Sequence, residues 1–509
     1  MSVDTLRETF HINRVTPDKI QDFLTAQTYR PEITKAKEDI KALPWVFLQQ
    51  VCKRPIRQGK SPSYADDAGL LCIKPKNTNE MIVSLDELSY IQPASKDEVA
   101  GQRLQRGDIV ITRSGSGTIG RASIFLSDEE VYTNDHLFIV RTHAADSHYT
   151  CAFLNTYWGH RLLEAGISGS TGQLNLSNEH IKGITLYTPA ELAQKYIGDK
   201  VRQAERLRAW AARAQEEAVR EMPANKPMIS HYAKSSYRVS TDTLFSARLD
   251  SSFFHPDHRA LDTKMKESGC QYFGKLASVV KPGWNKKSSD SFLYYEIGGL
   301  NVSTGKIGPV ETLTSEAPSR ATTAVKQGDV LVSTVRPNRK NVGLVIEDTQ
   351  NIPMVATSGF SVLRFESLID AAFYHAWLRT DDATSQLMRW NSGSAYPAID
   401  EDVPLQIFVP EFDASLRARL GQILLDTHFA LLHCAKLTNG AQLLIEALIE
   451  GQLTEAELIA AEQALQVGND QLDRRILNRL KTDGIDGQGP ALFSDLDELY
   501  RLLAQAEVD

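Results

Sequence analysis

Two aspartates, Asp108 and Asp329, each follow a glycine and open an apolar run, Ile109-Val110-Ile111-Thr112 and Val330-Leu331-Val332-Ser333. A carboxylate so placed either does acid–base work or closes a turn, and Gly-Asp at the mouth of a strand favours the turn. Gly115-x-Gly117-x-x-Gly120 follows the first strand and matches the dinucleotide fingerprint. That fingerprint requires a helix next, whose N-terminus holds the pyrophosphate. What comes next is Arg121-Ala-Ser-Ile-Phe-Leu126, a strand pattern, so a hairpin loop is expected. The nuclease-like spacings Asp39-Ile40-Lys41 and Asp262-Thr263-Lys264 fall in Lys-rich helical segments. The sequence has no Pro-Pro for an adenine-N6 methyltransferase motif, no Glu-x-Lys, no Gly-x-Ser-x-Gly elbow and no Walker A. No catalytic centre, cofactor or metal is expected.

A second set of candidates is basic or hydroxylic. Arg113, Ser114 and Arg121 border the glycine loop, and Arg336, Arg339 and Lys340 occupy the corresponding stretch after Ser333. An arginine fork can meet guanine O6/N7 or a phosphate through two bonds. Lys53, Arg54, Arg57 and Lys60 place four basic residues in eight, while Lys286 and Lys287 follow Pro282-Gly283-Trp284-Asn285 and precede Ser288-Ser289. Both compositions suit phosphate clamping. Ser170 and Thr171, in Gly169-Ser170-Thr171-Gly172-Gln173, and Ser394, in Gly393-Ser394-Ala395-Tyr396, sit at polar loop tips where small hydroxyls approach phosphates closely. Solvated surface charge, or a plain turn, is the alternative at each position.

Over the 509 positions, 42% apolar and 24% charged residues describe a globular chain of two to four domains. Apolar stretches fall short of the ~20 residues that span a bilayer. The first ten residues carry Asp4, Arg7 and Glu8 instead of an apolar leader, so a cytoplasmic protein without membrane contact is expected. Cys52, Cys72, Cys151, Cys270 and Cys434 are scattered, which signals neither a disulfide framework nor a zinc site. The net charge of −8 is uneven: from Gly451 onward twelve acidic and five basic residues give −7, leaving −1 for the first 450. Local basic patches remain open on that near-neutral body.

The chain repeats itself. Gln105-Arg106-Gly107-Asp108-Ile109-Val110-Ile111-Thr112 recurs as Lys326-Gln327-Gly328-Asp329-Val330-Leu331-Val332-Ser333. Tyr29-Arg30-Pro31 answers Phe254-His255-Pro256 at an offset of 225, Gly169-Ser170-Thr171 answers Gly393-Ser394-Ala395 at 224, and Tyr187-Thr188-Pro189 answers Phe408-Val409-Pro410 at 221. Two homologous modules of about 220 residues follow from this register.

Each module runs into a long helical pattern. The first has Ala193, Ile197, Val201 (or Lys200), Ala204, Leu207, Ala211, Ala214 and Ala218 on one stripe. The second has Leu420, Leu424, Thr427, Leu431, Cys434, Leu437, Ala441, Ile445 and Leu448, with Asn439-Gly440 expected to kink or split it. Narrow stripes want a partner helix, and each is the simplest partner for the other, giving a rod of roughly 50 Å. The tail is expected to be helical from Thr454 to Leu480, with a flexible break at Asp483–Pro490 and a short acidic helix at Leu492–Leu503. It reads equally as a docking element or as a solvated cap.

Module, helix, module, helix, with Gly107-Asp108 through Ile119-Gly120-Arg121, Asn134-Asp135-His136-Leu137, Gly169-Ser170-Thr171, Leu174-Asn175-Leu176-Ser177, Pro189 and Gln194-Lys195, resembles the specificity subunits of type I restriction–modification systems over residues 25–450. The second module departs from it, lacking Gln-Lys after Pro410 and replacing the glycine loop with Thr334-Val-Arg-Pro-Asn-Arg-Lys-Asn341. The resemblance implies an α+β protein with pseudo-twofold symmetry. Two mixed α/β target-recognition domains, 1–189 and 223–412, would be separated by long antiparallel helices at 190–222 and 413–450, with an acidic helical extension at 451–509. It implies a non-enzymatic chain that binds a bipartite site on double-stranded DNA. Two DNA methyltransferase subunits would dock on the helices, through residues such as Ile197, Leu207, Trp210, Leu424 and Leu431, and a restriction/translocase subunit would join them.

Overall fold

The computed structural model describes residues 15–17, 20, 26–115, 117–169, 174–222, 236–241, 249–251, 253–349, 352–392 and 396–508. The chain forms two units, Met1–Leu207 with His433–Asp509, and Arg208–Leu432.

In the first unit, α1 (Pro31–Lys41) begins with proline, whose fixed φ and missing N–H suit a first turn. A four-stranded antiparallel sheet has the order Arg57–Gln58, Leu137–Val140, Ile109–Thr112, Ala122–Ile124. All four residues of Ile109–Thr112 are buried, as expected of a β-branched strand covered on both faces. A second sheet runs Tyr64–Ala65, Ser89–Ile91, Leu70–Ile73, Val131–Thr133, its last pair parallel. Trp45–Phe47 pairs antiparallel with Thr185–Tyr187. Helices α2 (Ser147–Leu154) and α3 (Tyr157–Glu164) are capped by the side chains of Asp146 and Thr156, and α4 (Asn178–Lys182) by Ser177. Each such cap contributes on the order of 1 kcal/mol. The chain then enters α5 (Glu191–Glu221).

The second unit repeats the topology of the first sheet, while its second sheet carries its extra edge strand on the opposite side. After α6 (Pro256–Glu267), again with proline in its first turn, Gln271–Tyr272 pairs with Phe408–Val409. The four-stranded sheet has the order Ser278–Val279, Phe360–Arg364, Val330–Ser333, Val342–Leu344, and a second one runs Val310–Leu313, Ser291–Tyr295, Met354–Thr357, Ala321–Ala324. Helices α7 (Leu368–Leu378) and α8 (Asp381–Arg389) are capped by Ser367 and Thr380. Next comes α9 (Ala414–Ile449), then α10 (Glu455–Gln466), α11 (Gln471–Arg479) and α12 (Leu496–Val508) of the first unit.

The repeated Gly-Asp is a device for starting the central strand. Gly107 and Gly328 sit at φ 88° and 87°, where a side chain would be strained. Asp108 accepts the Gln105 N–H at 2.7 Å, and Asp329 the Lys326 N–H at 2.9 Å, each closing its turn. Both carboxylates are buried and ion-paired to an arginine at the end of the neighbouring strand, Arg141 and Arg364. They are structural groups.

The first unit carries the chain into the second along α5, and α9 brings it back. Near the end of α5, Ala218 and Met222 share a core with Leu420 and Leu424, and Arg419 is paired with Glu221. The expected stripe of α5 is buried, apart from a half-buried Ala214. On α9, Leu425, His428, Ala430, His433, Leu444 and Ala447 are buried as well as the stripe, so α9 is covered on more sides than a two-helix seam alone would cover. Asn439-Gly440 neither kinks nor splits it: α9 is continuous, and a Cβ at Gly440 would lie 3.4 Å from Leu480 and 3.6 Å from Leu492. The glycine admits the tail.

The tail is packed on the first unit and is not a solvated cap. Leu458, Ala461, Ile476, Leu477, Leu480, Leu499 and Leu502 are buried in the first unit. Asp473 accepts hydrogen bonds from Lys200 Nζ at 2.6 Å and Tyr196 Oη at 2.5 Å, with Tyr500 on its other oxygen. Asp483 organises the expected break, accepting from the N–H groups of Gln488 and Gly489 after a short hairpin at 480–485. Among the described residues, no helix is long and apolar enough to cross a membrane.

Candidate nucleic-acid interface

The glycine loop of the first module is a hairpin tip. Ile109–Thr112 and Ala122–Ile124 pair antiparallel on either side of it, and Gly115, Gly117 and Gly120 hold positive φ. A strand where the fingerprint needs a helix rules out pyrophosphate binding of that kind. The tip is laced to two distant segments. Arg113 N–H donates to His136 O at 2.8 Å, and Arg113 O accepts from Leu176 N–H at 2.9 Å. Ser114 pairs with Asn175, and its Oγ lies 2.5 Å from His136 Nδ1. Arg113 and Ser114 are half-buried, and Arg121 donates to Asn79.

The second module laces its tip to the same post-helix segment with different side chains. Val335 pairs with Ala398, Arg336 N–H donates to Pro397 O at 2.7 Å, and Ile399 N–H donates to Thr334 O at 2.9 Å. Pro337–Arg339 make one helical turn, flanked by Arg336 and Lys340 at φ 52° and 55°. Two non-glycine residues in the left-handed region at one exposed tip cost on the order of 1–3 kcal/mol each, and such strain clusters at functional sites. The Arg336 guanidinium lies over the Tyr396 ring at 5.0 Å, Lys340 Nζ is 2.7 Å from Asp381 Oδ1, and Arg339 is exposed.

Lys53, Arg54, Arg57 and Lys60 are all exposed, but they do not form one patch. Lys53 N–H donates to Arg141 O, at the Asp108 end of the sheet. Lys60 is held at the hairpin end by Gln102, which bonds its N–H at 2.7 Å, its carbonyl at 3.0 Å and Thr133 O at 2.7 Å. Lys53 and Arg54 fall on a bend before the edge strand Arg57–Gln58 and Lys60 lies beyond its other end, a separation that a count of charges in sequence does not reveal. Lys286 and Lys287 are exposed on a turn closed by the Asn285 side chain, with Lys286 Nζ 5.9 Å above Trp284. Ser170, Thr171 and Ser394 lie outside the described residues.

One cluster escaped the sequence reading. Lys74 Nζ sits 3.8 Å over the half-exposed ring of Tyr64, whose Oη accepts from Asn134 Nδ2 at 3.3 Å. Burial, ahead of the neighbouring charges, raises the Tyr64 phenol above its ordinary pKa and keeps it protonated. Asn134 leads through His136 into the laced tip, so this cluster borders the same end of the sheet. Nothing local marks Tyr64, which is seventy residues from Asn134.

The arrangement offers cations and hydrogen-bond donors on loops held by rigid strands, which suits phosphate and base-edge contact. The carboxylates considered for catalysis are engaged elsewhere. Asp39 accepts the Trp158 indole N–H at 3.1 Å and Asp262 is paired with Arg389.

The chain is similar to type I restriction–modification S subunits. A solved S subunit from M. genitalium aligns over 81% of this chain and 96% of its own, at 11% identity and a TM-score of 0.38. The HsdS subunit from Thermoanaerobacter tengcongensis aligns over 81% and 97%, at 15% identity and a TM-score of 0.27. A chain of a type I R-M complex aligns over 82% and 98%, at 13% identity and a TM-score of 0.25. No family model and no curated protein matches the sequence. Ile197, Leu207, Trp210, Leu424 and Leu431, expected to meet partner subunits, are buried within the chain, at 0–8% exposure. They are packing residues. A partner docking on α5 or α9, as the S subunit resemblance implied, would meet other side chains.

Proposed function

We propose that this chain is a DNA specificity subunit: each module contacts one half of a bipartite duplex site, and partner subunits perform the chemistry. The observation that carries this reading is the duplicated hairpin tip. One scaffold, with the same strand order in the sheet that carries the tip, the same Gly-Asp turn and the same lacing to a post-helix loop, presents Arg113 and Ser114 in one copy and Arg336, Arg339 and Lys340 in the other. A conserved frame with different reading groups is what recognition of two different half-sites requires. In this role phosphate contacts from residues such as Lys60, Lys286 and Arg339 would set register, and tip arginines would read base edges in the major groove. DNA methyltransferase subunits, two of them by the pseudo-symmetry of the chain, and a restriction/translocase subunit are the partners this role calls for.

Binding to duplex DNA tests it. The logarithm of the binding constant should fall linearly and steeply with the logarithm of salt concentration, by about 0.9 per phosphate neutralised. The R336A/R339A variant should bind more weakly and show a shallower slope. Binding that is absent, or insensitive to both salt and the variant, contradicts the proposal and favours a protein-binding scaffold.

A further inference from the structure

Resting on that reading, we infer that Arg336 reads a guanine in the half-site of the second module, and that Tyr396 is the positioning residue that fixes its guanidinium plane. Three independent features converge on this pair. The first is strain. Arg336 holds φ 52° and ψ 57° immediately before Pro337, where the chain is normally driven to extended conformations. The second is anchoring. Its N–H donates to Pro397 O, and Val335 beside it pairs with Ala398, so the backbone of the two loops locks Arg336 next to Tyr396. The third is stacking. The guanidinium lies 5.0 Å from the centre of the Tyr396 ring, which is 68% exposed.

Stacking a guanidinium on an aromatic face leaves its in-plane N–H donors pointing outward at the ring's edge. An exposed tyrosine gains little from its own burial here, so its contribution is to hold that plane. Two parallel N–H donors in a fixed plane match O6 and N7 of guanine, the commonest specific arginine contact in the major groove. The other tip cation of the second module with a recorded partner differs, because Lys340 is held by Asp381 and is a point charge suited to phosphate. Among the described residues Arg336 makes no ion pair.

The test is selection of a random duplex pool by the full chain, with its methyltransferase partner present, comparing the unaltered protein with R336K, Y396A and Y396F. One motif should contain a G·C pair at a position where R336K and Y396A lose preference about tenfold or more, while Y396F keeps it. The motif of the first module should be unchanged in all four, and the other positions of the second motif should be kept, which shows that the second unit of each variant is folded. R336K that retains the full preference overturns the inference. So does Y396A that behaves as the unaltered protein. An even loss of affinity for every duplex in R336K, or loss of the entire second motif, also overturns it, since the residue then serves a phosphate or the fold. A pool left random by the unaltered protein defeats the recognition role itself, and this inference with it.

Discussion

Arg364 holds Asp329 by two parallel hydrogen bonds, Nε to Oδ1 at 2.8 Å and Nη2 to Oδ2 at 2.7 Å, and Arg141 holds Asp108 by the same atoms at 2.6 and 2.5 Å. Each carboxylate also closes the turn that opens the central strand. One ion pair therefore ties a turn, the strand after it and the end of the neighbouring strand.

Removing the arginine leaves a buried, uncompensated carboxylate. R364M should lower the stability of the second unit by about 3 kcal/mol. D329N/R364M, which removes the charge and leaves an acceptor for the turn, should regain more than half of that. Urea denaturation of the two variants measures both. A loss below about 1 kcal/mol in R364M would show that the pair is solvent-screened.

The repeat extends into the long helices through two glycines. A Cβ at Gly421 would lie 2.6 Å from Ile369 Cγ2 and 2.6 Å from its backbone oxygen, and one at Gly198 would lie 2.5 Å from Asp146 Oδ1. Backbone cannot swing away as a side chain can. G421A should therefore destabilise by about 2 kcal/mol, whereas G198A should cost about 1 kcal/mol, because Asp146 caps α2 and must shift. Denaturation midpoints should rank G421A below G198A, and equal midpoints would contradict the backbone clash.

Lys200 and Asp473 are each 1% exposed and fasten the tail to α5. Burial pushes the Asp473 carboxyl up, but attraction to Lys200 and hydrogen bonds from Lys200, Tyr196 and Tyr500 outweigh it and hold the pKa below its ordinary value. That contribution is complete above the ordinary carboxylate pKa of about 3.9 and fades as pH falls below it. K200M should cost about 3 kcal/mol and raise hydrogen exchange in α10–α12 at neutral pH. K200M/D473N should restore part of the protection, since the asparagine carbonyl accepts from one tyrosine and its NH2 donates to the hydroxyl oxygen of the other. Unchanged exchange in K200M would show that apolar packing alone holds the tail.

A second pH dependence comes from the buried histidine pair of the second unit. His428 Nε2 is 3.2 Å from His375 Nδ1, whose ring also meets Val342 O. Burial, then the nearby Arg379, pushes His428 down to about 3, and burial, then His428 and Arg379, pushes His375 well below its ordinary value. The folded chain keeps both rings neutral where the unfolded chain takes up protons near pH 6.5. Stability is thus fully present above pH 6.5 and lost as pH falls, by up to about 1.4 kcal/mol per pH unit for each histidine. H428Q should flatten the decline in urea midpoint between pH 7 and 5. A midpoint that is level across that range in the unaltered protein would contradict the assignment.

Much of this architecture is legible in the sequence because its signals are local and occur twice. Gly107-Asp108 and Gly328-Asp329 mark the strand openings, and the stripe from Ala193 to Ala218 marks α5. The arginines that complete the turns are not legible, because Arg141 and Arg364 lie 33 and 35 residues downstream and nothing local names them. Gly440 reads as a helix breaker, since only the tail packed against it explains the missing side chain. The basic run from Lys53 to Lys60 reads as one patch because sequence spacing does not show that its ends fall on either side of a short edge strand. Tyr64 and Tyr396 carry no mark of a role in the sequence, because an exposed aromatic gains meaning only from the cation the fold places over it.

The central claim is that two modules read two DNA sequences, and selection from a random duplex pool tests it most directly, using the full chain with its methyltransferase partner. Two short motifs at fixed spacing should be enriched, and R336A/R339A should erase one of them while leaving the other intact. A pool that stays random, or one in which both motifs vanish together in that variant, would contradict the division of reading between the modules.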